Sequence, residues 1–415
     1  MKGRIAMTDD ATRTDVVIAG AGVAGLSLAL ALKTALGGTL SVTLCDPALG
    51  RPAGSDDRAF AIAAGPRRMF ETLGVWEAVA PTAQPILDMI VTDSRVADPV
   101  RPVFLTFSGE VEPGEPFAHM VEHRILLRAL SDAAARAGVD LRGERVSRAG
   151  PDAEEQAVRL ASGERLLARL LVACDGARSP LREDAGITTV AWSYRQSGIV
   201  ATVAFERDHH GRAEEHFLQS GPFAILPLRG RRASIVWTEE TDSAEALLQL
   251  DEADVLEEIE RRFGYHLGRI TLESRPKAYP LGFSIARHFV GQRLALVGDA
   301  AHVVHPIAGQ GLNLGIRDAA ALAEAVVDAA ALGLDPGATD VLAGYERSRR
   351  FDTVLMGAVT DGLNRLFSND IAPVRMLRDA GLGVVDRLPG LKRRFIREAA
   401  AISPGLPRLL RGEAP

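Results

Sequence analysis

Cysteine is scarce in this chain: only Cys45 and Cys174 occur, each closing an apolar run that reads as a strand. Two isolated thiols at different strand ends build neither a disulfide framework nor a redox pair, so a reducing compartment is expected and dithiol–disulfide chemistry is excluded. A surplus of charge is missing too. The 48 Lys and Arg against 54 Asp and Glu leave a net charge of −6, which gives no footprint for nucleic acid. No segment is low in complexity and no internal repeat is visible. The uncharged stretch 16–32 follows Arg13, roughly as in a secretory signal. It is, however, short for a membrane span of ~20 residues, is preceded by Asp15 and carries Gly20, Gly22 and Gly25. It reads as strand, turn and helix, and cytoplasmic is the expected location. The first residues carry no pattern, and Met7 is an alternative start. Any convincing serine–histidine or carboxylate pair is also lacking, so no catalytic side chain is assigned.

What the chain does have is length and apolar content. Its 415 residues, 47% hydrophobic and 25% charged, suit two packed domains or one elaborate α/β domain. Residues 15–19 read as a strand, 20–25 as a turn, the almost wholly apolar run to Leu36 as a buried helix, and 41–45 as a second strand: a βαβ opening. A helix over 124–138 and a buried strand over 166–173 follow. The middle differs in kind. Runs 199–205, 215–218, 223–228 and 234–238 read as strands of an antiparallel sheet, with Gly221-Pro222 and 229–232 as turns and an amphipathic helix at 251–263. A buried strand returns at 293–297, before a Gly-rich turn and a helix with Leu312, Ile316, Ala319, Ala323 and Val327 on one face. From about Pro336 onward the pattern is helical. The expected architecture is α/β: a discontinuous Rossmann-like domain (1–75, 111–185 and 281–335), an inserted antiparallel-sheet substrate domain (76–110 and 186–280), and a helical C-terminal region (336–415).

Gly20-Ala21-Gly22-Val23-Ala24-Gly25 sits between strand and helix, the context in which G-x-G-x-x-G binds a pyrophosphate at a helix N-terminus. Asp46 closes the second strand, where an acid would bind ribose hydroxyls. Two more buried strands end in an acid, at Asp175-Gly176 and at Gly298-Asp299. Together they suit a ligand longer than the nicotinamide half of a dinucleotide requires. Pro306, Gly309, Gly311 and Gly315 mark a turn leading into a helix whose first N–H groups are free. His302 and His305 lie three apart with no third ligand of metal-like spacing. They read as hydrogen-bonded structural histidines, and no metal site is expected.

The glycine fingerprint, Asp57-Arg58-Ala59-Phe60-Ala61-Ile62, Glu122-His123-Arg124-Ile125-Leu126, Cys174-Asp175-Gly176 and Gly298-Asp299 together resemble the aromatic hydroxylases of the p-hydroxybenzoate hydroxylase type. The run from Gly298 through His305-Pro306 and Gly309-Gln310-Gly311-Leu312-Asn313-Leu314-Gly315 to Arg317-Asp318 looks specifically like the ubiquinone-biosynthesis hydroxylases. The resemblance covers residues 15–330. It implies non-covalent FAD, transient NAD(P)H as reductant, O2, and a flavin C4a-hydroperoxide that passes oxygen to the ring of a polyprenyl phenol. By position, Gly20, Gly22 and Gly25 would meet the FAD pyrophosphate, and Asp46 the adenosine ribose. Arg58 and Arg124 would line the ribityl and phosphate path, and Asp175 would support FAD and passing nicotinamide. Gly298 and Asp299 would hold the ribityl chain, with Pro306, Gly309, Gly311, Leu312 and Asn313 beside the isoalloxazine. A helix N-terminus there would stabilise the anion of reduced flavin. Family members often carry Glu where Asp46 stands and Asn where His123 stands. Asp46 is one methylene shorter, so its ribose contact is expected to be looser or bridged by water. No second G-x-G-x-x-G is present, so nicotinamide is expected to bind only in passing at the flavin face.

Two rival readings share these motifs: an FAD-dependent reductase of an isoprenoid substrate, and a non-catalytic FAD-binding subunit of a quinone-making complex. The latter would bring other quinone-biosynthesis proteins as partners. Charge patterning adds an expectation of its own. Residues 371–415 hold nine basic and four acidic side chains, a local charge of +5, and 391–397 interleave apolar and basic residues as an interfacial helix does. Peripheral contact with the inner face of the cytoplasmic membrane is expected there, where a lipid-soluble phenol would be collected.

Overall fold

The strand Thr12–Ala19 is buried from Val16 onward, and its β-branched run sits between two parallel neighbours, Val42–Cys45 on one side and Arg165–Ala173 on the other. Asp140–Arg142 continues the parallel set beyond Val42–Cys45, and Leu294–Leu296 pairs in parallel with the end of Arg165–Ala173. Four chain-distant segments therefore finish at one sheet edge, and Gly20, Asp46, Asp175 and Gly298 all lie just past it. That edge is where open α/β sheets receive ligands. The computed structural model of the chain describes residues 11–49, 51, 56–93, 96, 103–151, 155–368, 397–403 and 405–415.

The helix Val23–Leu36 is buried on nearly all sides because it lies between this sheet and a second apolar helix, Gln310–Ala331. Gly25 makes the approach possible: a Cβ there would stand 2.1 Å from the Gly20 carbonyl oxygen.

The second sheet has the spatial order His302–Val303, Lys277–Ala286, Thr189–Phe205, Arg232–Glu240, Gly221–Leu228, Arg212–Leu218, Asp88–Asp93, Val103–Ser108. One face carries Ile199, Val203, Phe223, Ile225, Ile235 and Trp237 and is covered by Thr241–Leu247 and the amphipathic helix Glu252–Phe263. Its other face packs through Ala213 and Leu228 against Ala59, Ala118 and Met120. The four expected runs pair antiparallel, and Asp88–Asp93 joins them in parallel with Arg212–Leu218. One expectation is corrected here. Gly221-Pro222 is not a turn but opens a strand. Pro222 sits at the strand start, where its missing N–H is tolerated.

A small sheet of Ala59–Ala63, Ala118–Glu122 and Gln84–Pro85 lies between the two larger ones. Thr339–Phe367 is a long C-terminal helix, and Arg408–Arg411 is a single 3-10 turn. Of the basic run 391–397, residues 391–396 lie outside the described residues. Arg408 is neutralised within the fold by Glu324 and Asp328, and Arg411 by Glu413. No helix of the described residues is long and apolar enough to cross a membrane.

Candidate functional site

At the sheet edge the glycine loop is shaped by contact rather than by flexibility alone. Gly20 has φ +115°, and a Cβ on it would meet the Cys174 carbonyl oxygen at 2.1 Å. Gly22 is different: a Cβ there would meet nothing within 4 Å. It caps the helix Val23–Leu36 without any side-chain cap, so the first N–H groups of that helix stay available. Asp46 holds the loop in place, accepting from the Ala21 N–H at 2.8 Å through Oδ2 and from the Ala48 N–H at 2.7 Å through Oδ1.

These residues line a cavity of about 1670 Å3 together with Arg51, Arg124, Asp175 and Arg178. Asp175 Oδ1 is buried with no hydrogen-bond partner among the described residues, while Oδ2 accepts from the Leu181 N–H at 3.4 Å. Burial raises the Asp175 pKa above the ordinary carboxylate range. Of the expected pyrophosphate glycines, Gly25 faces the Gly20 backbone and not the cavity, so its task is packing.

The two arginines differ. Arg58 binds Asp56 in bidentate fashion (Nε–Oδ1 2.9 Å, Nη2–Oδ2 2.7 Å), with its guanidinium over the rings of Phe60 and Tyr279. Asp56 also meets His123 Nδ1 at 2.8 Å, and its pKa is held far below the usual range, chiefly by the Arg58 hydrogen bonds. Arg124 lines the cavity but stays 59% exposed, bound to Glu122 at 2.9 Å.

The second cluster lies at the turn Gly298–Ala300 and the loop before Gln310–Ala331. Asp299 is reached by solvent, yet crowding by surrounding protein raises its pKa, opposed by His302 and Arg58. Gly309 is left-handed (φ 62°) and caps Gln310–Ala331, a helix with no side-chain cap and no acid in its first turn. Pro306 is half-buried, and Gly311 faces open space, with nothing within 4 Å of a Cβ. Leu312 packs on the main core. Asn313 is fully engaged by backbone: Oδ1 accepts from Ala63 N–H at 3.0 Å, and Nδ2 donates to Ala61 O at 2.9 Å and Gly309 O at 3.0 Å. It thus fixes the loop to the strand Ala59–Ala63.

His302 is hydrogen-bonded as expected, to Asp318, but His305 is not. Both its ring nitrogens are buried without partners among the described residues, and its ring meets Tyr194 edge-on at 5.2 Å. Burial alone carries its pKa down to about 4, so the ring is neutral and packs as an apolar group.

Gly20, Gly22, Asp46, Arg124 and Asp175 thus share one cavity, while Pro306, Gly309, Gly311, Leu312 and Asn313 form a separate wall outside its lining. Arg58 joins the two, because its charge acts on both Asp56 and Asp299. The arrangement fits a long dinucleotide. It offers an orphaned buried carboxylate oxygen, two glycines that leave open space, and two uncapped helix starts. Sequence reasoning missed Asp56, and it quoted Asp318 in the motif without giving it a role. An acid next to the quoted Asp57-Arg58, and one on the apolar face of a helix, were the available signals.

Residues 13–351 match the family described as FAD binding domain. The chain is 45% identical over 403 residues to the ubiquinone hydroxylase UbiL of Rhodospirillum rubrum, covering 96% of this chain and 92% of that protein. It is 34% identical to the 3-demethoxyubiquinol 3-hydroxylase of Escherichia coli, covering 94% and 99%. Among solved structures, p-nitrophenol 4-monooxygenase PnpA from Pseudomonas putida superposes with a TM-score of 0.76 over 94% of this chain and 99% of that one. At 19% identity that likeness speaks for the fold alone.

Proposed function

This chain belongs to the FAD binding domain family, and from that premise we propose that it is an FAD-dependent monooxygenase that hydroxylates the ring of a polyprenyl phenol on the way to ubiquinone. FAD supplies the redox chemistry, taking electrons from NAD(P)H and activating O2. What the protein adds is position, charge and dryness.

At the adenosine end, Gly20, Ala21 and Gly22 line the cavity ahead of the uncapped start of Val23–Leu36, with Asp46 beside them for the ribose and the unpartnered Asp175 oxygen for a further hydroxyl. Arg124 lines the same path. Across Arg58, Asp299 is placed to accept from a ribityl hydroxyl, since it has no hydrogen bond or ion pair among the described residues. The observation that carries the reading is the start of Gln310–Ala331. An uncapped N-terminus behind Gly309 and the open Gly311 is a fixed positive dipole where a reduced flavin ring would place negative charge. Beside it lie Ala61, Met89, Phe117 and Leu226, apolar and half-buried, a surface for an aromatic ring from which water is readily displaced.

The test is anaerobic and aerobic incubation of the purified holoprotein with a short-chain polyprenyl phenol and NADH or NADPH. The expected result is phenol-stimulated NAD(P)H oxidation, O2 uptake and a product heavier by one oxygen atom. A product gaining only hydrogen would make the protein a reductase. FAD bound without phenol-stimulated oxidation would make it a non-catalytic subunit.

A further inference from the structure

Two adjacent glutamates on the strand Arg212–Leu218 live in opposite surroundings. Successive side chains on a strand point to opposite faces. Glu214 turns to the helix-covered face, where His216 Nε2 and His266 Nε2 approach it at 3.2 and 2.8 Å and, against burial, hold its pKa near 2. Glu215 turns the other way, to the face shared with Ala213 and Phe217. It is 5% exposed, and among the described residues nothing hydrogen-bonds to it or pairs with its charge. Burial alone pushes its carboxyl up to about 7.

The register says what surrounds it. Glu215 is opposite Ala224 on one neighbouring strand and Val91 on the other. Along its own strand, Ala213 belongs to the apolar cluster of Ala59, Met120, Met89 and Leu226, whereas Phe217 stacks on Phe367 of the C-terminal helix at 3.9 Å. The first of those clusters includes Ala61, whose carbonyl receives Asn313 Nδ2 and whose Cβ would stand 3.5 Å from a Cβ on Gly309. A solitary carboxyl therefore lies in an apolar wall that continues to the loop assigned to the flavin. A buried acid without a partner costs stability, and such a cost is retained where a ligand supplies the missing partner.

We propose that Glu215 is the residue that holds the substrate's ring hydroxyl, the phenol O–H donating to its carboxylate on the sheet face that continues through Ala213 toward the Gly309–Asn313 turn. This assignment rests on the hydroxylase reading and deepens it. Two consequences follow from the one bond. It orients the ring toward the flavin loop, and it draws the phenol proton outward, which enriches the ring carbons ortho and para to the oxygen, those an electrophilic oxygen attacks. The apolar neighbours Ala213, Ala224, Val91 and Phe217 leave the rest of the wall for hydrocarbon.

The test compares 2-geranylphenol with its methyl ether, titrated calorimetrically into the holoprotein and into the Glu215→Leu and Glu215→Gln variants. Wild type should bind the phenol about ten- to a hundred-fold more tightly than the ether, the range expected for a hydrogen bond to a charged group. Glu215→Leu should bind both equally and melt no lower than wild type, because it replaces an unpaired acid with an apolar side chain. Glu215→Gln, which still offers a carbonyl oxygen, should keep part of the preference. Unchanged discrimination in Glu215→Leu overturns the proposal. So does a Glu215→Leu variant that fails to fold or melts lower, since that makes the role structural. A wild-type protein that binds neither ligand overturns the hydroxylase reading itself, and this assignment with it.

Discussion

His302 Nε2 and Asp318 Oδ2 lie 2.5 Å apart, with both side chains completely buried. The same carboxylate accepts from Arg349 Nε at 2.7 Å and from the Gly298 N–H at 3.1 Å. One acid thus joins the turn that carries Asp299, the helix Gln310–Ala331 and the C-terminal helix. Burial opposes its charge, but His302 and Arg349 outweigh that and lower its pKa.

Replacing Asp318 with Asn should leave the Arg349 charge partly uncompensated in the interior and cost about 3–5 kcal/mol, measured by urea unfolding. The pH dependence has a definite sign. A carboxylate whose folded pKa is lower than its ordinary 3.8 contributes fully above roughly pH 5, and the contribution drains away as pH falls through 3.8 toward the folded value. The wild-type advantage over Asp318→Asn should therefore be large at pH 7 and shrink below pH 4. An advantage equal at both values would remove Asp318 from the account.

Asp299 presents the opposite case, a carboxylate with no hydrogen bond or ion pair among the described residues. Asp299→Ala should leave the melting temperature of the flavin-free protein unchanged. It should remove one charge-assisted bond to a ribityl hydroxyl, ~1.5–3 kcal/mol, and weaken FAD by about one to two decades. Flavin fluorescence released on dilution reads this directly. Full retention of flavin by the variant would refute the assignment.

Gly311 has room for a side chain, because nothing among the described residues stands within 4 Å of a Cβ. Gly311→Val should therefore fold normally yet crowd whatever occupies that space. Stopped-flow measurement should show slower flavin reduction at an unchanged melting temperature. Reduction at the normal rate would mean that the isoalloxazine lies elsewhere.

Membrane docking through the basic segment is a proposal carried by composition. Each basic side chain near an anionic surface adds ~1 kcal/mol, so a few together suffice for reversible, salt-sensitive binding. Arg408 and Arg411 already have acidic partners, and of the other seven basic residues Lys392, Arg393, Arg394 and Arg397 are the ones interleaved with apolar side chains. Flotation with anionic liposomes should succeed and with neutral ones fail. Changing those four residues to Gln should abolish the difference. Equal behaviour on both liposome types would defeat the idea.

The sequence by itself determined whatever rests on short-range pattern. The saturated apolar strand at Val16, the glycine turn at Gly20, Gly22 and Gly25, the apolar helix behind it, and the acids at strand ends are all read within a dozen residues, because local sterics and burial periodicity impose them. Only the tertiary structure decided what depends on partners far along the chain. Asp88–Asp93 pairs in parallel with Arg212–Leu218, and the two are joined by an Arg212–Asp88 ion pair 124 residues apart. Asn313 ties its side-chain amide to Ala63, 250 residues away, and so supports the loop. Glu214 and Glu215 are indistinguishable as letters. Strand register alone gives one of them two histidines and the other an empty apolar wall, since a shift of a single residue would exchange their faces.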